Sequence, residues 1–297
     1  MQSMKGVVPT VFSSIALAVV GVAVKLTGES VHSLSLSAMR LFLAFLTVLI
    51  ILPFVDSKFL MIKKSDLPHY VLIGLLLAFS TSSFVASLQR TTIASAVLII
   101  FTAPFFLMIF SHFFLKEKVT KKMIAITLLA FAGIVIMNPL QKEQLFGNAL
   151  AFSAAIFGAA TTAYMRHEEK THSVGTIFWF LLFATIFLMP SIFIYGTAGV
   201  TENIHWILLL GVFTGIAYLF YTEALEYLNA VITSMIGMVV EPLVAIFLAF
   251  IVLNEVPTIP TMIGGGLLIF GGVLLQERIL KKQKGFNIHK IIWFQKR

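Results

Sequence analysis

The chain has 297 residues, 59% hydrophobic and 11% charged, with a formal charge of +8 and a mean hydropathy of +1.00. A soluble domain carries about 25% charged residues, so a water-exposed globule of this length is excluded and lipid must be its solvent. The positive charge sits in loops and one tail, which argues against a nucleic-acid partner, and the absence of cysteine excludes a disulfide framework, a thiolate metal site and a cysteine nucleophile.

A helix needs about 20 apolar residues to cross a bilayer. Ten segments meet that length, at about 7–26, 34–54, 67–89, 92–114, 121–139, 147–165, 173–195, 204–224, 229–252 and 258–279. The first is too long for a signal-peptide core and lacks an A-x-A-like cleavage site, so it reads as a span. Polar turns join the spans, among them ThrGlyGluSer at 27–30, LysLysSerAsp at 63–66 and ArgHisGluGluLys at 166–170. With alternating spans, 17 Lys and Arg residues fall on the side of the N-terminus and 3 on the other, and Arg40 lies within the second span. That bias puts both termini in the cytoplasm. The predicted fold is therefore an all-α polytopic membrane protein with ten transmembrane helices, in a plasma membrane of prokaryotic type.

The chain repeats itself. Residues 86–136 and 224–274 align at an offset of 138, pairing Ala86 with Ala224, Pro104 with Pro242, Glu117 with Glu255 and Gly133 with Gly271. Each copy holds five spans, an odd number, so the second enters the membrane from the opposite side. This predicts two inverted-topology five-helix repeats, at 1–140 and 141–280, followed by a basic tail at 281–297 whose aromatic residues suit an anionic lipid leaflet. Exchanging the conformations of the two halves gives alternating access to a central site.

At this point the residues resemble a known family. A proline in the fourth and ninth spans with a Glu after each, in ThrAlaProPhePhe at 102–106, ValGluProLeuVal at 240–244, LeuLysGluLysValThr at 115–120 and LeuAsnGluValProThr at 253–258, is similar to the EamA branch of the drug/metabolite transporter superfamily. SerAlaMetArgLeuPheLeuAla at 37–44 resembles its second-helix arginine motif. The resemblance covers about residues 7–279. It implies a ten-helix bundle with a cavity between the halves, and secondary transport, often export, of small metabolites such as amino acids.

Read residue by residue, Glu241 is the sharpest candidate. It stands near mid-membrane, where an ionised carboxylate is costly unless paired or wetted, and Pro242 follows it. Its expected role is to couple a proton or cation, or to meet a substrate amine; the alternative is a structural lock to Arg40 or to neighbouring hydroxyls. Arg40 is expected to bind a substrate carboxylate with its planar fork, or else to pair with Glu241 or Glu223, or to snorkel outward. Pro104 and Pro242 are expected to break their helices. Ser83 and Phe84 of the third span, Thr102 of the fourth, Tyr218 and Glu223 of the eighth and Ser234 of the ninth complete the candidate substrate site, with Thr10, Ser13, Ser14, Thr161, Thr162 and Tyr164 as additions from spans one and six. Gly211 and Gly215 read as helix packing, Glu117 and Glu255 as helix-end capping and salt bridging, with a gate contact as the alternative, and His112 as a buried hydrogen-bonded residue. The glycines at 264–266 read as a packing face, against a helix of the same chain or of a second subunit in a homodimer.

No G-x-x-x-x-G-K-[ST] loop is present, so ATP-driven transport is not expected, nor is any cofactor. The expected partners are a small-molecule substrate and membrane lipids. An enzyme acting on a lipid would need acids or histidines clustered at one membrane face, whereas the acids here are scattered. A carrier or flippase of an amphipathic compound fits the 29 phenylalanines.

Overall fold

The structure, a computed structural model, describes residues 2–55, 60, 63–90, 96, 99–137, 145–169, 175–253, 259, 260, 262–267, 269–271 and 274. Its helices are α1 (Gln2–Thr27), α2 (Ser33–Val55), α3 (Leu67–Leu88), α4 (Ala103–Phe113), α5 (Lys121–Met137), α6 (Leu145–Glu169), α7 (Thr176–Leu188), α8 (Pro190–Tyr195), α9 (Ile204–Tyr227) and α10 (Ala230–Leu253). A further apolar helix runs from Met262 to Gly271. Seven helical stretches, from Met4–Thr27 to Ala230–Val252, are long and apolar enough to cross a membrane, and no strand occurs among the described residues. The protein is an all-α polytopic membrane protein. The basic tail, Glu255 and residues 91–95, 138–144, 170–174 and 254–258 lie outside the described residues.

Local sequence sets the helix ends. α1 stops where Gly28 takes φ +63, and the Gly28 N–H returns to the Val24 carbonyl at 3.3 Å. A residue without Cβ adopts that left-handed conformation at least cost. Pro104 sits in the first turn of α4, where a missing N–H costs nothing, and Phe101 and Thr102 form a turn ahead of it. The helix break expected at Pro104 is thus present. The break expected at Pro242 is not: α10 continues through it. Proline removes only the N–H that would reach the Met238 carbonyl, and the flanking apolar turns keep the helix going. Pro190 opens α8 two residues after α7 ends, inside the seventh span.

The helices pair mainly between halves. The broadest contacts join α1 to α9 and α3 to α6, followed by α2 with α9, α1 with α10, α3 with α7, α2 with α7 and α4 with α6. Exchanging the halves maps α1–α9 onto α6–α3, α2–α9 onto α7–α3, and α1–α10 onto α6–α4. The sequence repeat is therefore a symmetry of the packing. A hydroxyl ties each of the two broadest pairings: Ser13 of α1 donates to the Ala217 carbonyl at 2.9 Å, and Ser80 of α3 to the Ala154 carbonyl at 3.1 Å.

Small residues let these backbones approach, as in membrane bundles generally. A Cβ on Gly215 would lie 2.8 Å from the Ala44 carbonyl oxygen and 2.8 Å from Thr47 Cβ on α2, and one on Gly211 would collide with Leu43. The packing role expected of both glycines holds. Gly265 and Gly271 lie against Leu243 and Ala130 of the same chain. The core gathers Leu41, Tyr70, Ile73, Phe180, Leu181 and Met235 from four helices, while Phe54 and Phe193 stand outward at 88% and 86% exposure, as suits a surface solvated by lipid.

Candidate functional site

The paired halves enclose a cavity of about 250 Å³. Seven of the ten predicted spans contribute to its wall. From α2 comes Arg40, from α9 Tyr218 and Tyr221, and from α10 Ser234 and Glu241. From α1 and α6 come the hydroxyls of Ser13, Ser14, Thr161 and Thr162. Leu77 and Phe84 of α3, Phe101 and Pro104 at the start of α4, and Met238 of α10 form an apolar wall.

Most of the hydroxyls are already engaged. Ser14 donates to the Thr10 carbonyl at 2.8 Å, Thr161 to the Phe157 carbonyl at 2.8 Å, and the Tyr221 hydroxyl reaches Thr162 Oγ1 at 3.5 Å. Thr81 stands against the Tyr218 hydroxyl. The charged pair differs. Arg40 is 5% exposed, and its Nε donates to Thr214 Oγ1 at 2.9 Å. Tyr218 and Glu241 are its electrostatic neighbours, yet no ion pair within 4.0 Å joins Arg40 to Glu241 or to Glu223. Neither the structural lock nor the outward snorkel describes Arg40. A guanidinium and a carboxylate face one cavity, each able to receive a partner of opposite charge.

Of the candidate residues, Arg40, Phe84, Pro104, Tyr218, Ser234 and Glu241 meet at the cavity. Ser83, Thr102 and Glu223 do not, nor do Thr10, whose hydroxyl donates to the Gly6 carbonyl, and Tyr164. On α3 the lining positions are Leu77, Ser80, Thr81 and Phe84, a helical stripe that leaves Ser83 turned away by about 100°. On α9 the stripe is Ala217, Tyr218 and Tyr221, which carries Glu223 to another face. The Thr102 hydroxyl turns back to the Ile99 carbonyl at 2.6 Å. Tyr221 and Thr81 also line the wall. The signal for Tyr221 was its three-residue step from Tyr218; that for Thr81 was its four-residue step from Leu77.

Glu117 accepts from Arg166 Nε at 3.3 Å, and the Arg166 guanidinium also donates to the Leu225 carbonyl. The salt bridge expected of Glu117 is present, with a partner that sequence did not name. His112 is exposed at the end of α4 beside the Phe113 ring, not buried, because the helix ends there and turns it outward.

Comparison with known proteins sets this cavity in context. The model of the EamA-like transporter family matches residues 4–138 and again residues 145–276. The chain belongs to the EamA-like transporter family. It is 26% identical over 272 residues to an uncharacterized transporter of Archaeoglobus fulgidus, covering 90% of this chain and 94% of that protein. It is 27% identical over 279 residues to the uncharacterized transporter YoaV of Bacillus subtilis, with 89% and 93% covered. An S-adenosylmethionine uptake transporter of Rickettsia bellii is 23% identical over 248 residues, with 82% and 84% covered. A crystal structure superposes with a TM-score of 0.74 at 16% identity, covering 92% of this chain and 96% of that one, which shows a shared fold. As an EamA-like transporter the chain is an integral membrane protein, and the two family matches fall on the two halves that enclose the cavity.

Proposed function

We propose that this EamA-like transporter exports small zwitterionic metabolites, amino acids first among them, by alternating access through the Arg40–Glu241 cavity. Both termini lie in the cytoplasm, and Glu241 couples transport to protons. One observation carries this reading: Arg40 and Glu241 face the same cavity without forming an ion pair. A lone charge at mid-membrane costs about 3 kcal/mol on insertion scales. An α-amino acid offsets that cost at both ends, its carboxylate meeting the guanidinium and its ammonium meeting Glu241. Its side chain then lies along Leu77, Phe84 and Phe101. Between substrates Glu241 takes up a proton, which neutralises it while the site changes sides. The outward direction follows the family resemblance.

S-adenosylmethionine carries the same α-amino carboxylate, and the Rickettsia bellii relative named for its uptake supports it as a second reading. The cavity, about 250 Å³, is smaller than the roughly 300–1,000 Å³ typical of drug-sized ligands, which favours the smaller amino acids. The test is flux in proteoliposomes of labelled amino acids, S-adenosylmethionine and an amphipathic cation, with and without an imposed pH gradient. Saturable, gradient-driven amino-acid flux supports the proposal. Flux of the amphipathic cation alone transfers the site to an amphipathic substrate. Movement of amino acids indifferent to the gradient removes the proton-coupling role of Glu241.

A further inference from the structure

We propose that Thr214 is a positioning residue that holds the Arg40 guanidinium toward the cavity, an inference that rests on the zwitterion reading of the site. Thr214 is fully buried on α9 and is absent from the cavity wall. Its hydroxyl proton is committed to the Leu210 carbonyl at 2.7 Å, so its lone pairs face Arg40, and Oγ1 accepts from Nε at 2.9 Å. The next residue, Gly215, brings α9 within contact of the Ala44 carbonyl on α2. Ala44 lies one turn from Arg40, so the close approach delivers Thr214 to Nε. A guanidinium has five N–H donors in a fixed fork. With Nε tied, its terminal NH₂ groups are the ones left to serve the cavity. Without Thr214, Nε is a buried donor in need of an acceptor, and Glu241 is the carboxylate nearby.

The test compares Thr214→Val with Thr214→Ser for uptake of an α-amino acid and of its amide, which lacks the carboxylate. Thr214→Val is expected to raise the amino-acid KM by about tenfold with kcat little changed, and Thr214→Ser to restore it. The amide KM is expected not to move, and Thr214→Val is expected to add nothing in an Arg40→Gln background. Equal losses for acid and amide, or a full further loss in the Arg40→Gln background, overturn the inference. Failure of the zwitterion reading shows itself separately, as absence of amino-acid uptake in the wild type. In that case phenylglyoxal labelling of Arg40, followed by mass spectrometry, decides. An increase of about fivefold in Thr214→Val but not in Thr214→Ser supports positioning, and equal labelling in all three proteins overturns it.

A different observation carries a second inference: we infer that Arg166 is the latch that closes the cavity on the face where α4 and α9 end. Arg166, in the last turn of α6, meets Glu117 just beyond the end of α4 and the Leu225 carbonyl near the end of α9. One side chain thus joins three of the cavity's helices, and it joins the halves, since Glu117 belongs to the first repeat and Arg166 to the second. The side chains are 13% and 9% exposed, so the pair is shielded from salt. In sequence, with the spans aligned from Gly6 on Gly147, Arg166 corresponds to Lys25. Opening the cavity toward this face requires the helix ends to part and the latch to break.

The chain has no cysteine, so Ser234→Cys places a single thiol in the cavity and Lys118→Cys marks the latch face for an impermeant maleimide. Glu117→Gln in the Ser234→Cys protein is expected to raise labelling from the latch face by about fivefold and to lower it from the opposite face. The exchanged pair Glu117→Arg with Arg166→Glu restores the ion pair but not the donor to the Leu225 carbonyl, so it is expected to return both rates part of the way to those of the parent. A loosened fold would raise labelling from both faces. That result, or no change on either face, overturns the latch.

Discussion

Arg40 of α2 and Glu241 of α10 face one cavity and form no ion pair within 4.0 Å, although each is an electrostatic neighbour of the other. A directly bonded pair would fill the cavity's charge demand from within the protein; in the proposed function a separated pair leaves it for the substrate. The first prediction follows. Arg40→Gln removes one charge-assisted contact of about 2 kcal/mol, so the KM of a transported amino acid rises about 30-fold. Reversing both charges, Arg40→Glu with Glu241→Arg, does not restore transport, because Thr214 supports a guanidinium only at the α2 position. Initial-rate uptake in proteoliposomes checks both. Restoration by the double reversal would mean that the two residues act as a bonded pair.

Glu241→Gln keeps the shape of the site and removes its titratable group. Uptake driven by a pH gradient is expected to be lost, while exchange of labelled for unlabelled substrate persists. Counterflow measured with the gradient collapsed separates the two.

Glu223 offers a contrast within one helix. It lies off the cavity stripe of α9, so Glu223→Gln is expected to leave KM within about twofold of wild type and stability within about 0.5 kcal/mol. A large KM effect would put Glu223 in the substrate path.

Close packing predicts a stability effect at Gly74. A Cβ there would lie 2.6 Å from Phe183 Cβ, 2.8 Å from the Ala184 nitrogen and 2.9 Å from the Phe180 carbonyl oxygen. Two of these atoms are backbone, so α3 and α7 must separate to admit a methyl group. Gly74→Ala is expected to cost about 1–3 kcal/mol, seen as a lower melting temperature in detergent. Gly266, with nothing within 4 Å, accepts alanine without that loss.

Pro242→Ala tests what the uninterrupted α10 leaves open. Alanine restores an N–H for the Met238 carbonyl and removes the ring from the helix interior. The variant is expected to be at least as stable as the parent and to fold identically. Slowed turnover at unchanged KM would mark the weakened helix turn as part of the conformational cycle.

Much of this protein was written in the order of its residues. The apolar composition dictated lipid as solvent, and runs of about 20 apolar residues dictated helices. The 138-residue offset that matches Pro104 with Pro242 and Glu117 with Glu255 dictated two similar halves. These are local or periodic properties, set by backbone hydrogen bonding in a medium without water, and a linear chain carries them openly. What tertiary structure alone decided was which polar residues meet. Ser83 and Phe84 are neighbours in sequence, yet one helical step of about 100° puts only Phe84 on the cavity. Thr214 and Arg166 carried no motif, because their importance lies in partners 174 and 49 residues away. Pro242, in the same repeat position as Pro104, lies within a continuous helix while Pro104 opens one. A proline's effect depends on whether neighbouring turns can carry the helix past it, and that is settled by the helices packed around it.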